Sequence, residues 1–233
     1  MTLQAPIGIV VALEPERRTL VKLDGTLIAL SGPGPRNATA AADRLLARGA
    51  RQLVSWGTAG ALVPAMRAGT VLISASASLD GGPDDFDHDP TLADAIAAAC
   101  APLKPARGPV CSVARPACLR SDKEALNRRS GAIVVDMESA AVASAAHRAG
   151  VPFAAVRAVV DPLEFELPPA ALAGMQEDGS NSIWPVLAAL VRQPGQLLPL
   201  CRLGLQFRSA LRSLEAAATL LANPSASASW ARP

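Results

Sequence analysis

The chain has 233 residues, half of them hydrophobic and 18% charged, which excludes global disorder and suffices for one α/β domain with a buried core. A net charge of +2 does not point to nucleic acid, and four Phe, three Trp and no Tyr argue against an aromatic platform for stacking bases. The four cysteines form no CxxC pair, no run of about 20 apolar residues occurs, and Glu14 follows too early for a signal peptide, so the expectation is a reduced cytoplasmic protein.

The first apolar run, Ile7 to Leu13, is continuous rather than alternating, the signature of a strand covered on both faces. It ends at Glu14-Pro15-Glu16. A second strand, Thr26 to Leu30, leads into Ser31-Gly32-Pro33-Gly34-Pro35, and Asn37 is placed to cap an alanine-rich helix that stops near Gly49. A strand over Gln52–Trp56, a turn at Gly57-Thr58-Ala59-Gly60 and a strand over Thr70–Ser74 follow. Gly81 to Pro90 is acidic and reads as a surface loop, and Thr91 to Cys100 as a helix. Next comes a β-α-β unit with an expected right-handed crossover: strand Ala132–Val135, helix Ser139–Ala149 stopped by Gly150, strand Val151–Val160. Alternating strands and helices predict a three-layer α/β/α domain with a mixed, mostly parallel central sheet.

The domain is taken to span residues 1–195. Residues 196–233 read as an amphipathic helical extension and a frayed tail from Asn223. On a helix from Leu200 to Leu221, Leu200, Leu203, Phe207, Leu211, Leu214 and Leu221 form one apolar stripe, with Arg208, Arg212 and Glu215 on another face. Such a helix can pack on protein or lie on anionic lipid.

Ligands in open α/β sheets bind beyond the carboxyl ends of strands. Acids stand at three such ends: Glu14 and Glu16, Asp136 and Glu138, and Asp161. The run Val135-Asp136-Met137-Glu138-Ser139 resembles the Val-Glu/Asp-Met-Glu-Ala/Ser motif of the nucleoside phosphorylase and methylthioadenosine/adenosylhomocysteine nucleosidase superfamily. Ile7-Gly8-Ile9 through Glu16, Gly57-Thr58-Ala59-Gly60 and Arg157-Ala158-Val159-Val160-Asp161 are similar to three further segments of that superfamily, in order and spacing. The resemblance covers roughly residues 7–190. In overall pattern, short and alanine-rich with a basic-apolar C-terminal segment, the chain looks closest to its hopanoid-associated branch.

The resemblance implies cleavage of a purine N-glycosidic bond, here release of adenine from adenosylhopane, a triterpenoid nucleoside, with no metal and no cofactor. Asp161 would be the general acid on the purine ring, with a pKa raised by an apolar site; its structural alternative is a helix cap or an ion pair with Arg157. Glu138 would accept the ribose hydroxyls and offset positive charge on the sugar, Glu16 would direct water as general base, and Met137 would pack between ribose and base. Asp136, Thr58, Gly57, Gly32, Gly34 and Asp122 complete the expected binding set, Gly32 and Gly34 by close backbone approach. Gly32 to Asn37 is not a dinucleotide fingerprint, because the third glycine is missing and prolines remove donors. Ser55 stands where phosphorylases of this superfamily carry an arginine, which favours water over phosphate, while Arg36 keeps phosphate open. Lys123-Glu124 departs from the family's usual aromatic. His88 reads as part of a solvated acidic loop, and His147 as a surface or packing residue. The alternatives are a nucleosidase or phosphorylase for a soluble nucleoside, and a non-catalytic binding protein. A homodimer and a peripheral contact with the inner membrane complete the expectation; no nucleic acid is expected.

Overall fold

A computed structural model describes residues 6–80, 86–87, 89–169, 171 and 194–223. Within them, β1 (Ile7–Val11), β2 (Leu27–Leu30), β3 (Gln52–Ala61), β4 (Val71–Ser74), β5 (Ser76–Leu79), β6 (Phe86–Asp87), β7 (Ala106–Arg107), β8 (Val110–Ser112), β9 (Val134–Asp136) and β10 (Phe153–Val159) join in one sheet. The order is β6-β5-β8-β9-β3-β10-β4-β7, with β1 on β3 and β2 on β1. Six of the nine pairings are parallel, so the sheet is mixed and mostly parallel as expected.

Both faces are covered. One packs against α3 (Thr91–Ala99) and α6 (Leu197–Leu221), with Ile9, Trp56, Ile73 and Val156 from the strands and Leu214, Ala217 and Leu221 from α6. The other packs against α2 (Pro35–Ala47) and α5 (Ser139–Ala149), with Val10, Leu53, Leu72 and Ala155 facing them. Neighbours such as Ile9 and Val10 point to opposite faces. Both are buried, and the run is therefore unbroken in hydrophobicity. Ala38, Ala41 and Ala42 of α2 and Ala143 and Ala146 of α5 are fully buried in the second layer, where small side chains let helix and sheet approach closely.

Three expectations are corrected. Gly57-Thr58-Ala59-Gly60 is no turn: β3 runs straight through it for ten residues, because Gly57, Ala59 and Gly60 are small enough for buried neighbours on either side. The β9-α5-β10 unit is not a parallel crossover. β9 runs antiparallel to the far end of β3 (Gly60↔Val135), whereas β10 runs parallel along Leu53–Ala59. Asn37 does not cap α2. Gly34, at φ +95°, precedes Pro35 at the first helical position, and Asn37 Nδ2 donates to the Pro33 carbonyl instead.

β3 organises the functional end. β10 occupies one edge of it. β1 pairs with the other edge along Gln52–Trp56, and β9 takes over that edge at Gly60–Ala61. Between Trp56 and Gly60 that edge has no strand partner among the described residues. The acidic loop lies largely outside the described residues, as do His88 and everything after Asn223.

Candidate active site

The unpaired stretch of β3 still carries a backbone donor that must be satisfied. Glu16 supplies the acceptor. It sits on α1 (Glu14–Arg18), and only 2% of its surface is exposed. Its Oε1 accepts hydrogen bonds from the Thr58 amide and hydroxyl, both at 2.8 Å, and its Oε2 from the Leu13 amide at 3.0 Å. Gly57 must be glycine here: a Cβ would stand 2.6 Å from the Arg157 guanidinium and 2.8 Å from Glu16 Oε1. Glu14, two residues earlier, takes no part and pairs with Arg17 and Arg18 at the surface.

The end of β9 delivers the next two acids. Asp136 is held by the Ser112 hydroxyl, by the Glu138 and Ser139 amides at the start of α5, and by the Arg157 guanidinium at 2.6 Å. Glu138 accepts from the Gly34 amide at 2.9 Å and stands 3.9 Å from Arg157. Arg157 is an arginine in the middle of a fully buried strand; its Nη2 also donates to the Ser55 hydroxyl and its Nε to the Ser139 hydroxyl. Met137 lines the cavity beside these acids.

Asp161 follows β10. Its partner is not Arg157 but Lys123, whose Nζ lies 2.6 Å from Asp161 Oδ2. A Cβ on Gly60 would approach that same oxygen to 2.8 Å, so β3 is shaped for this carboxylate as well.

Burial dominates the electrostatics. Desolvation pushes the Glu138 carboxyl up to about 7 against the pull of Arg157 and with some help from Asp136. Glu16 is likewise raised, with Arg157 and its Thr58 and Leu13 hydrogen bonds opposing. Asp161 is raised by burial too, with the Lys123 ammonium opposing.

Glu16, Thr58, Asp136, Met137, Glu138 and Asp161 all line one cavity of about 390 Å³. That size accepts a small-molecule ligand. Much of the remaining lining is apolar: Val113, Pro116, Ala117 and Leu167, with Leu200, Leu203, Gly204 and Phe207 of α6. Among the described residues no Lys or Arg lines the cavity.

Four expected residues lie elsewhere. Asp122 is exposed on the first turn of α4 (Arg120–Ser130), because the next residue, Lys123, is the one turned inward. Gly57 sits behind the lining, between Arg157 and Glu16. Gly32 and Gly34 flank Pro33, which does reach the cavity, and the Gly34 amide is spent on Glu138. Lys123 was not foreseen. In Arg120-Ser121-Asp122-Lys123-Glu124 it is one charged residue among four, and no periodicity marks it as the buried one. The lining part of α6 was foreseen only as an apolar stripe.

The sequence matches the family model described as Phosphorylase superfamily over residues 16–182, and the chain belongs to that family. Compared with curated proteins, it matches none. Among solved structures it is similar to a mutant Helicobacter pylori MTAN with 5′-methylthioadenosine in the active site: 17% identity, 94% of this chain and 97% of that one, TM-score 0.69. It is also similar to the 5′-methylthioadenosine/S-adenosylhomocysteine nucleosidase of Neisseria meningitidis in complex with methylthio-immucillin-A, at 18% identity over 93% and 98% of the two chains, TM-score 0.69. Native futalosine hydrolase of H. pylori gives 17% identity over 94% and 96%, TM-score 0.68. At this identity, these likenesses speak to the fold.

Proposed function

We propose that the protein releases adenine, by attack of water, from a nucleoside with a large apolar 5′ substituent, and that this nucleoside is adenosylhopane. The observation that carries the reading is the convergence of Glu16, Glu138 and Asp161, from three separate segments, on one cavity whose lining is otherwise largely apolar.

In this reading Asp161 gives its proton to a purine ring nitrogen as the glycosidic electron pair moves onto the base. The sugar carries oxocarbenium character, which the Glu138 carboxylate offsets while accepting the ribose hydroxyls. Glu16 takes a proton from water as the oxygen bonds to the anomeric carbon. Water is favoured over phosphate by the charges present. Among the described residues four acids and no cation line the cavity, Arg157 is committed to Asp136, Ser55 donates no charge, and Arg36 is exposed. A phosphate dianion would meet repulsion with no guanidinium to hold it.

The apolar wall favours an apolar substituent over a small one. A soluble substrate is the second reading, favoured by the methylthioadenosine bound to the H. pylori enzyme of the same fold. Release of adenine, with and without phosphate, from adenosylhopane and from methylthioadenosine separates them. The expected product is free ribosyl hopane, unaffected by phosphate. A ribose 1-phosphate product would contradict hydrolysis, and turnover of methylthioadenosine alone would contradict the apolar substrate.

Peripheral membrane contact and a homodimer belong to the same proposal. Leu198 is 80% exposed and Leu205 66% on the first half of α6, near Arg202 and Arg208. Among the described residues no helix is long and apolar enough to cross a membrane. Analytical ultracentrifugation is expected to give twice the chain mass, and a single-chain mass would contradict the dimer.

A further inference from the structure

Lys123 is the largest commitment of charge to burial that the chemistry above leaves unused. Its side chain has no exposed surface, and its ammonium has three protons to place. One faces Asp161 Oδ2 at 2.6 Å, and two are donated to main-chain carbonyls of the following loop, Pro162 at 3.0 Å and Phe165 at 2.9 Å. A purely structural lysine would be satisfied by carbonyls. Here it is aimed at the carboxylate that enters the cavity, and the two carbonyl bonds fix where the ammonium stands. Gly60 gives that carboxylate room on the opposite side.

We propose that Lys123 is a positioning residue: it holds the Asp161 carboxyl against β3 and sets the pH at which that carboxyl releases its proton. The surroundings leave this task to Lys123. From α4 only Lys123 faces Asp161; Asp122 and Glu124 of the same helix point outward, Glu124 to Arg120. The Cys118 thiol, ahead of α4, is itself pushed up by burial and stays a neutral neighbour. Glu164 and Glu166 on the loop after Asp161 are exposed. Glu16 and Glu138 line other parts of the cavity, and Arg157 is paired with Asp136. Burial alone favours the protonated carboxyl over its charged form. The Lys123 ammonium at contact distance opposes that, by its charge and by its hydrogen bond. The Phe165 carbonyl bond extends the arrangement outward: the Phe165 ring lies 5.5 Å under the Arg202 guanidinium of α6, the helix that walls the cavity.

The test does not need the substrate. In protein labelled with carbon-13 aspartate, the Asp161 carboxyl signal is assigned by its loss in Asp161→Asn and titrated. In Lys123→Met its midpoint is expected to rise by about one pH unit or more, and in Lys123→Arg to stay within about half a unit of wild type. Should Lys123→Met fail to fold, Lys123→Gln keeps a donor without the charge and is expected to move the midpoint the same way. An unmoved midpoint in a folded, charge-free variant would overturn the proposal. The second arm rests on Asp161 being the acid: the alkaline limb of adenine release should move up with the midpoint. If the wild-type protein releases no adenine, the proposed function fails while the titration still decides the role of Lys123.

Discussion

The two ends of the cavity are built by opposite means. At the acidic end the carboxylates are fixed by bonds of defined geometry: Glu16 by three donors, Asp136 by a hydroxyl, two amides and a guanidinium, Glu138 by the Gly34 amide and Asp161 by the Lys123 ammonium. At the apolar end, Leu200, Leu203 and Phe207 face the space from a single helix, anchored by packing of its second half. The first kind of wall specifies atoms and tolerates little. The second specifies only volume and hydrophobicity, and can change its preferred ligand by exchanging side chains.

The largest effect that sharpens this contrast is expected from Arg157→Met. It strands Asp136 and Glu138 in the interior without their counter-charge, a change that costs about 3–5 kcal/mol when one partner of a buried pair is removed. Urea unfolding measures it, and a loss below about 1 kcal/mol would mean that the acids do not depend on Arg157.

Glu138→Gln probes the same end through pH. The folded-state value of about 7 lies above the ordinary 4.5, so between these pH values the folded chain keeps a proton that the unfolded chain releases. Stability contributed by this group is therefore lost as pH rises through that window. The variant is expected to flatten the stability profile between pH 5 and 8, and an unchanged slope would place the titration elsewhere. Adenine release, which needs Glu138 ionised, should rise with pH through about 7 in the wild type.

At the apolar end, replacing Leu203 and Phe207 together by Ala is expected to raise KM for adenosylhopane about tenfold or more, the scale of one or two lost apolar contacts, and to spare methylthioadenosine. Equal losses on both substrates would dissolve the contrast between the two ends. The smallest change is expected from serine at Leu197, Leu198 and Leu205, all exposed: sedimentation with anionic liposomes should drop while stability and turnover of soluble nucleosides hold. Unchanged sedimentation would remove lipid contact from the account.

The same contrast explains what could be read before the fold was known. Covered strands are legible because Ile7–Val11 has no polar residue and Phe153–Val159 only Arg157, and the acids at strand ends are legible because they stand where these apolar runs stop. The glycines of β3 misled for a physical reason. Gly-Thr-Ala-Gly is turn-like locally, and only the later arrival of Glu16, Arg157 and Asp161 side chains beside it shows that the glycines make room rather than bend the chain. Likewise the partner of Asp161 depends on how α4 is rotated against the loop 162–165, information that no five-residue window around Lys123 contains.

The central claim is that carboxyls brought from distant segments together lift a nucleobase from its sugar, with Asp161 delivering the proton. Single-turnover adenine release by Asp161→Asn at the wild-type pH optimum tests it most directly. The account predicts a rate at least about a hundredfold below wild type with substrate still bound, the scale of a lost general acid. A variant that releases adenine at nearly the wild-type rate would contradict it.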